Sequence, residues 1–172
     1  MLTQEKIKQL FEELNEKLKT RGEIGEVGII GGAVMCLVYQ SRNATRDVDA
    51  IFKPADLIRK LSAEIGEAHQ LDANWLNDAA KGYLRDSFKK EEVMNLSNLR
   101  VWAPEAPYML AMKCISARWD THDRDDVIFL INYLKLKSSK QVFHIIENFY
   151  PKKLIPPKTQ FFIEEIFSKK QP

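Results

Sequence analysis

At 172 residues, 45% of them hydrophobic and 29% charged, the chain has the make-up of one folded domain with a core of its own, or of a domain with a small appendage, and not of a disordered or fibrous protein. No stretch approaches the ~20 apolar residues of a membrane span, and the start MLTQEKIKQLFEEL has no apolar run behind a basic head, so a cytoplasmic protein without a membrane partner is expected. The formal charge of +2 is unevenly spread: the stretch from Lys135 onward carries +5 and residues 1 to 134 carry −3, which fits either solvated lysine faces or a contact with nucleic acid.

Along the chain, Ile7, Leu10, Phe11, Leu14 and Leu18 recur at helical spacing behind a capping Thr3 and predict an amphipathic helix over 3–19, ended by Arg21-Gly22. An apolar run at 27–30 predicts the first strand, and Gly31-Gly32 turns the chain into a helix over about 33–39. The polar SRNATR loop leads to a second strand over 47–52. Pro54 opens the next helix, with Leu57, Ile58, Leu61 and Ile65 as its apolar stripe and Gly66 near its end. The segment LDANWLNDAAKGYLRDSF, holding Trp75, Leu76, Ala79, Ala80 and Tyr83, predicts a short helix, and residues 91–103 read as a hairpin turning at Ser97-Asn98.

Pro104 and Pro107 then open a helix through PYMLAMKCISARW, and a second follows over 123–136. Ser139 caps a third that Pro151 stops, and Pro156-Pro157 starts a last helix docked by Phe161, Phe162, Ile166 and Phe167. Cys36 and Cys114 fall in apolar helical patterns without metal-ligand spacing and read as buried, reduced thiols. The order predicts an α+β fold: a small mixed β-sheet with helices packed on it and a helical C-terminal half. Residues 1–104 would form a core with its N-terminal helix, and 105–172 a helical subdomain completing the site within one compact unit.

The stretch VGIIGGAVMCLVYQSRNATRDVDAIF, residues 27–52, carries the chemistry. Side chains alternate along a strand, so Asp47 and Asp49 would point one way while Val48 and Ala50 point the other. Two carboxylates held side by side repel each other, an arrangement tolerated when a cation sits between them. Mg²⁺ suits such a pair because it takes oxygen ligands and completes its shell with water and substrate phosphates. Gly31 and Gly32 allow close backbone approach, and a helix starting at Ala33 would aim its free N–H groups at an anion there. Together they outline a site for a nucleotide phosphate and a divalent metal.

A second constellation lies further on. Lys113 sits among Met109, Leu110 and Ala117 on the apolar side of its helix, where either its stem snorkels to solvent or its ammonium meets an anion. In the acidic run Asp120, Asp123, Arg124, Asp125 and Asp126, helix capping accounts for Asp123. Asp126, however, shares a stripe with Phe129 and Leu130 and would turn inward, toward Lys113 or a metal.

These residues resemble the DNA polymerase β-like nucleotidyltransferase superfamily, in the minimal bacterial branch related to abortive-infection and toxin–antitoxin nucleotidyltransferases. Gly31-Gly32 ahead of a helix is similar to that branch's Gly-Gly or Gly-Ser. RNATRDVDAIF resembles its Arg-x-x-Thr-x-Asp-hydrophobic-Asp motif through Arg42, Thr45, Asp47 and Asp49. YMLAMKCISARWDTHDRDDVIFL resembles its Lys-x-x-(small)-x-Arg helix and Asp-rich helix start through Lys113, Arg118, Asp123 and Asp126. The resemblance implies transfer of a nucleoside monophosphate from an NTP to a macromolecular acceptor, tRNA or protein, with Mg²⁺ or Mn²⁺ on Asp47 and Asp49. It further implies nucleotide binding by Gly31, Gly32, Arg42, Thr45, Lys113 and Arg118, catalytic roles for Asp47, Asp49, Lys113 and Asp126, and a toxin-like role with a cognate antitoxin. The superfamily adds a third carboxylate on a later strand; VMNL and LRVWA contain no acid, so either Glu91 or Glu92 serves, Asp126 substitutes from a helix, or the second metal site is weak. A degenerate member that binds nucleotide or a partner without catalysis is the alternative, and a nucleic-acid-binding module using the lysine-rich C-terminal stretch is a third reading.

Overall fold

Thr3 accepts a hydrogen bond from Lys6 N at 3.2 Å and caps α1 (Gln4–Thr20), so the amphipathic pattern starts and ends within a residue of where its spacing predicts. In the computed structural model, which describes residues 1–85, 87–116 and 122–168, Ile7, Leu10, Phe11, Leu14 and Leu18 are all fully buried. Each such side chain contributes about 1.5–3 kcal/mol by leaving water. The chain divides into two compact units, Met1–Gly82 with Lys90–Pro104, and Tyr83–Lys89 with Glu105–Pro172.

The first unit is built on a mixed five-stranded sheet in the order β5-β4-β2-β7-β6. Its strands are β2 (Gly25–Ile29), β4 (Val48–Lys53), β5 (Leu76–Asn77), β6 (Lys90–Asn95) and β7 (Leu99–Pro104). β2 runs antiparallel to β4 and parallel to β7, while β5 is parallel to β4 and β6 antiparallel to β7. Val27, Ile29, Val48, Ala50 and Leu99 form the buried face, over which Leu18 of α1 and Ile58 of α3 (Ala55–Ala68) meet at Gly25. A two-stranded sheet pairs β1 (Leu2–Thr3) with β3 (Ala44–Thr45). The first strand begins two residues before its predicted start.

α2 (Gly31–Leu37) opens at the first glycine, not at Ala33. Pro54 precedes α3 as its cap, and Gly66 lies inside that helix because Trp75 packs against it: a Cβ on Gly66 would stand 3.0 Å from Trp75 Cδ1. The short helix predicted for the segment after α3 forms as a 3-10 helix over Ala79–Tyr83, and β5 is added ahead of it. Trp75 is the cause, since its carbonyl accepts Val48 N at 2.6 Å and its indole N–H donates to Ser62 O at 2.7 Å, drawing the segment onto the sheet edge. The hairpin of β6 and β7 turns at Ser97-Asn98, as predicted, closed by Leu96 N to Leu99 O at 2.9 Å.

The second unit is helical, with α4 (Ala106–Ser116), α5 (Asp123–Tyr133), α6 (Ser139–Phe149) and α7 (Pro157–Ser168). α4 is apolar nearly all round and buried, which is the position such a helix requires. Tyr108 anchors it: its ring meets Phe88, Phe149 and Tyr150, and its hydroxyl accepts Arg85 N at 2.7 Å. Thr159 Oγ1 donates to Cys114 O at 2.8 Å and ties α7 to α4. Ser138, one residue before the predicted cap, caps α6. Phe161 is 73% exposed and does not dock α7; Thr159, Phe162 and Ile163 do. Both cysteines are buried and free. No helix among the described residues is long and apolar enough to cross a membrane. The α+β fold with a small mixed sheet and a helical C-terminal half is the one the element order predicts.

Candidate nucleotide and metal site

The antiparallel ladder of β2 and β4 ends with Ile30 N donating to Asp49 O at 2.9 Å, which carries the acidic strand up to the diglycine. Gly31 takes a left-handed backbone, φ +63°, and a Cβ there would stand 3.1 Å from Asp49 Oδ2. At Gly32 a Cβ would meet Thr45 Oγ1 at 2.8 Å and Arg42 Nη1 at 3.4 Å. A carboxylate, a hydroxyl and a guanidinium therefore converge on two residues without side chains. Glycine at 31 answers both demands at once, since any Cβ would be strained by the backbone and crowded by the carboxylate.

The N-terminus fixes this arrangement. Leu2 pairs with Thr45, Cys36 Sγ reaches Leu2 O at 4.0 Å, and Gln4 Nε2 donates to Leu37 O at 3.1 Å, so β1 clasps the loop between α2 and β4. Ser41 doubles the clasp, its N and Oγ lying 3.0 and 3.2 Å from Met35 O. Asp47 stands in the bend just before β4, so strict strand alternation describes Asp49 and not Asp47. Both acids are half-buried.

Among the described residues no group of three or more His, Cys, Asp or Glu side chains could hold a metal ion by itself. Asp49 is the carboxylate that the structure brings to the diglycine, and with Asp47 two residues before it the oxygen donors are of the kind that suits Mg²⁺ or Mn²⁺ completed by water and phosphate oxygens, not an all-protein cage. Glu91 and Glu92 lie in β6, with β7 and β2 between it and β4. Three strand spacings separate them from Asp49, roughly 14 Å, too far for a shared ion. The residue that sequence reasoning missed is Asn77. Its register opposite Asp49 puts it beside the acid on the same face, with its Oδ1 accepting Ala79 N at 3.0 Å. A two-residue strand has no periodicity by which to find it.

In the second unit, Lys113 is 6% exposed and does not snorkel: Nζ lies 2.6 Å from Asp123 Oδ1 and 2.8 Å from Asp126 Oδ2. Asp126 thus turns inward onto Lys113, as its stripe predicts. Asp123 opens α5 with His122 in the cap position, and its carboxylate meets the lysine. Burying one ammonium with two carboxylates is tolerable because each charge has a partner. Arg118 and Asp120 lie outside the described residues.

The first unit is thus an α+β fold whose mixed sheet gathers a carboxylate, a hydroxyl and a guanidinium on a diglycine. Residues 5–152 match a family model, and the chain belongs to that family, the nucleotidyltransferases of unknown function DUF6036. Comparison with curated proteins and with solved structures returned no match.

Proposed function

We propose that this nucleotidyltransferase moves a nucleoside monophosphate from an NTP to a macromolecular acceptor, tRNA or protein. An acceptor hydroxyl oxygen attacks the α-phosphorus and gives up its proton to solvent, the bond to the bridging oxygen breaks, and pyrophosphate leaves. The observation that carries this reading is the convergence of Asp49 Oδ2, Thr45 Oγ1 and Arg42 Nη1 on Gly31 and Gly32. Asp47 and Asp49 would hold Mg²⁺ or Mn²⁺, which when bound offsets triphosphate charge and polarises the reacting phosphoryl group. The diglycine admits the phosphate chain against the backbone, Thr45 and Arg42 orient it, and the rest is positioning, which is what phosphoryl transfer chiefly demands. Lys113 and Asp126, and Arg118 with them, enter the reading through the resemblance of their helices; the paired geometry of the first two supplies a fixed ammonium.

The test is transfer of α-labelled NMP from each of the four NTPs to total RNA and to protein, in Mg²⁺ and in Mn²⁺. Folded Asp47→Ala and Asp49→Ala variants should lose at least ~100-fold of the rate; full activity in both sinks the reading. By the same resemblance the activity is toxin-like and restrained by an antitoxin, which predicts growth arrest on expression that Asp49→Ala relieves. A second reading, nucleotide binding without turnover, is favoured by the absence of a third acid beside Asp49 among the described residues. Calorimetric binding of NTP with Mg²⁺ and no transfer to any acceptor would select it.

A further inference from the structure

We propose that the helical unit carries a binding site for single-stranded nucleic acid on the cleft between the α5–α6 junction and the end of α7. It stands apart from nucleotide transfer, since none of its residues belongs to the Gly31–Asp49 site. The cleft has a volume of about 610 Å³ and is lined by Asn132, Lys135, Lys137, Ser138, Ser139 and Glu164 among others. The lining thus carries two lysines to one glutamate, with Leu136 and Phe167 as its apolar part, and exposed Lys140 follows in α6.

Lys135 is the sharpest observation. It closes α5 in the left-handed region, φ 55°, where glycine is the usual residue because any Cβ is strained. Lysine in place of glycine there puts a cationic residue on the lining of the cleft. The neighbouring stripe of α5 supplies the second element: Tyr133 is 56% exposed and stacked on Phe129, centroids 6.0 Å apart and planes 20° from parallel. An exposed ring two residues before Lys135 in the chain suits stacking by a base whose phosphates meet the lysines.

A polymer fits better than a single phosphate. Beyond the far end of α6, Lys152, Lys153 and Lys158 are also exposed, so positive charge flanks both ends of a helix roughly 16 Å long. One small anion does not cover that span, and a chain of phosphates does.

Fluorescence anisotropy of the full chain with labelled RNA and DNA single strands of about 20 nucleotides, titrated between about 50 and 200 mM salt, tests the site. Binding of either strand is expected. The triple variant Lys135→Gly, Lys137→Gln, Lys140→Gln should flatten the logarithmic salt slope by about 2 and weaken binding by at least ~10-fold. Tyr133→Ala should weaken it ~5- to 100-fold with the slope unchanged. Lys135→Gly should keep or raise the melting temperature, which separates lost binding from lost folding. No binding to either strand, binding unchanged in the triple variant, or complete displacement by equimolar inorganic triphosphate would overturn the proposal.

Discussion

Trp102 lies across Gly28, and the contact is close enough that a Cβ on that glycine would stand 2.2 Å from Trp102 Cζ2. The ring is anchored in that place, its indole N–H donating to Glu26 Oε1 at 2.6 Å and Lys90 Nζ lying 4.2 Å from its centroid. Gly28→Ala should therefore cost about 3 kcal/mol, the upper range for overpacking, measurable by urea titration. The same cluster sets an acid response. Lys90 first, then the Trp102 indole, hold the Glu26 carboxyl below its ordinary value of 4.5. A depressed carboxyl adds stability that is fully present above 4.5 and lost as pH falls through the lowered folded value. Glu26 is half-exposed, so the contribution is that of a screened pair, about 0.2–1 kcal/mol. The melting-temperature gap between the wild type and Glu26→Gln should be present at neutral pH and close on acidification; a gap that widens in acid would contradict this.

Between elements, the contact of α4 with α5 depends on Lys113 and its two carboxylates. Removing the lysine takes from Asp126, 2% exposed, the ammonium that lies 2.8 Å from its Oδ2. Lys113→Met should then cost about 3–5 kcal/mol, whereas Lys113→Met with Asp126→Leu should recover much of it. Equal losses in the single and double variants would show that packing of the stem, not charge, holds the pair. Asn15 plays a comparable part in the first unit, where its Oδ1 accepts Asn98 N at 2.8 Å and fixes the hairpin turn against α1. Helical periodicity places Asn15 on the inner face of α1, but nothing local says which backbone group it meets.

Over the whole molecule, strong periodic patterns were legible and short pairings were not. The α1 stripe, the α3 stripe, the hairpin and the α+β order follow from spacing, caps and proline positions, because those signals are encoded within a few residues. The diglycine and the Asp47, Asp49 pair were visible for the same reason. β1, β3 and β5 are two residues each, too short for any period, and exist because partners distant in the chain complete their hydrogen bonds. Phe161 reads as core by hydrophobicity, but helix geometry turns it outward once Phe162 and Ile163 take the inner face.

What the sequence determined by itself is the class of fold, the family and the residue types of the candidate site, since local pattern and motif carry that information. Only the tertiary structure decided that Asp49, Thr45 and Arg42 meet at Gly31 and Gly32, that Asn77 stands beside Asp49, and that Lys113 is neutralised by Asp123 and Asp126. Each of these depends on strand register or helix docking, and register is set by burial and long-range hydrogen bonds that no local stretch contains.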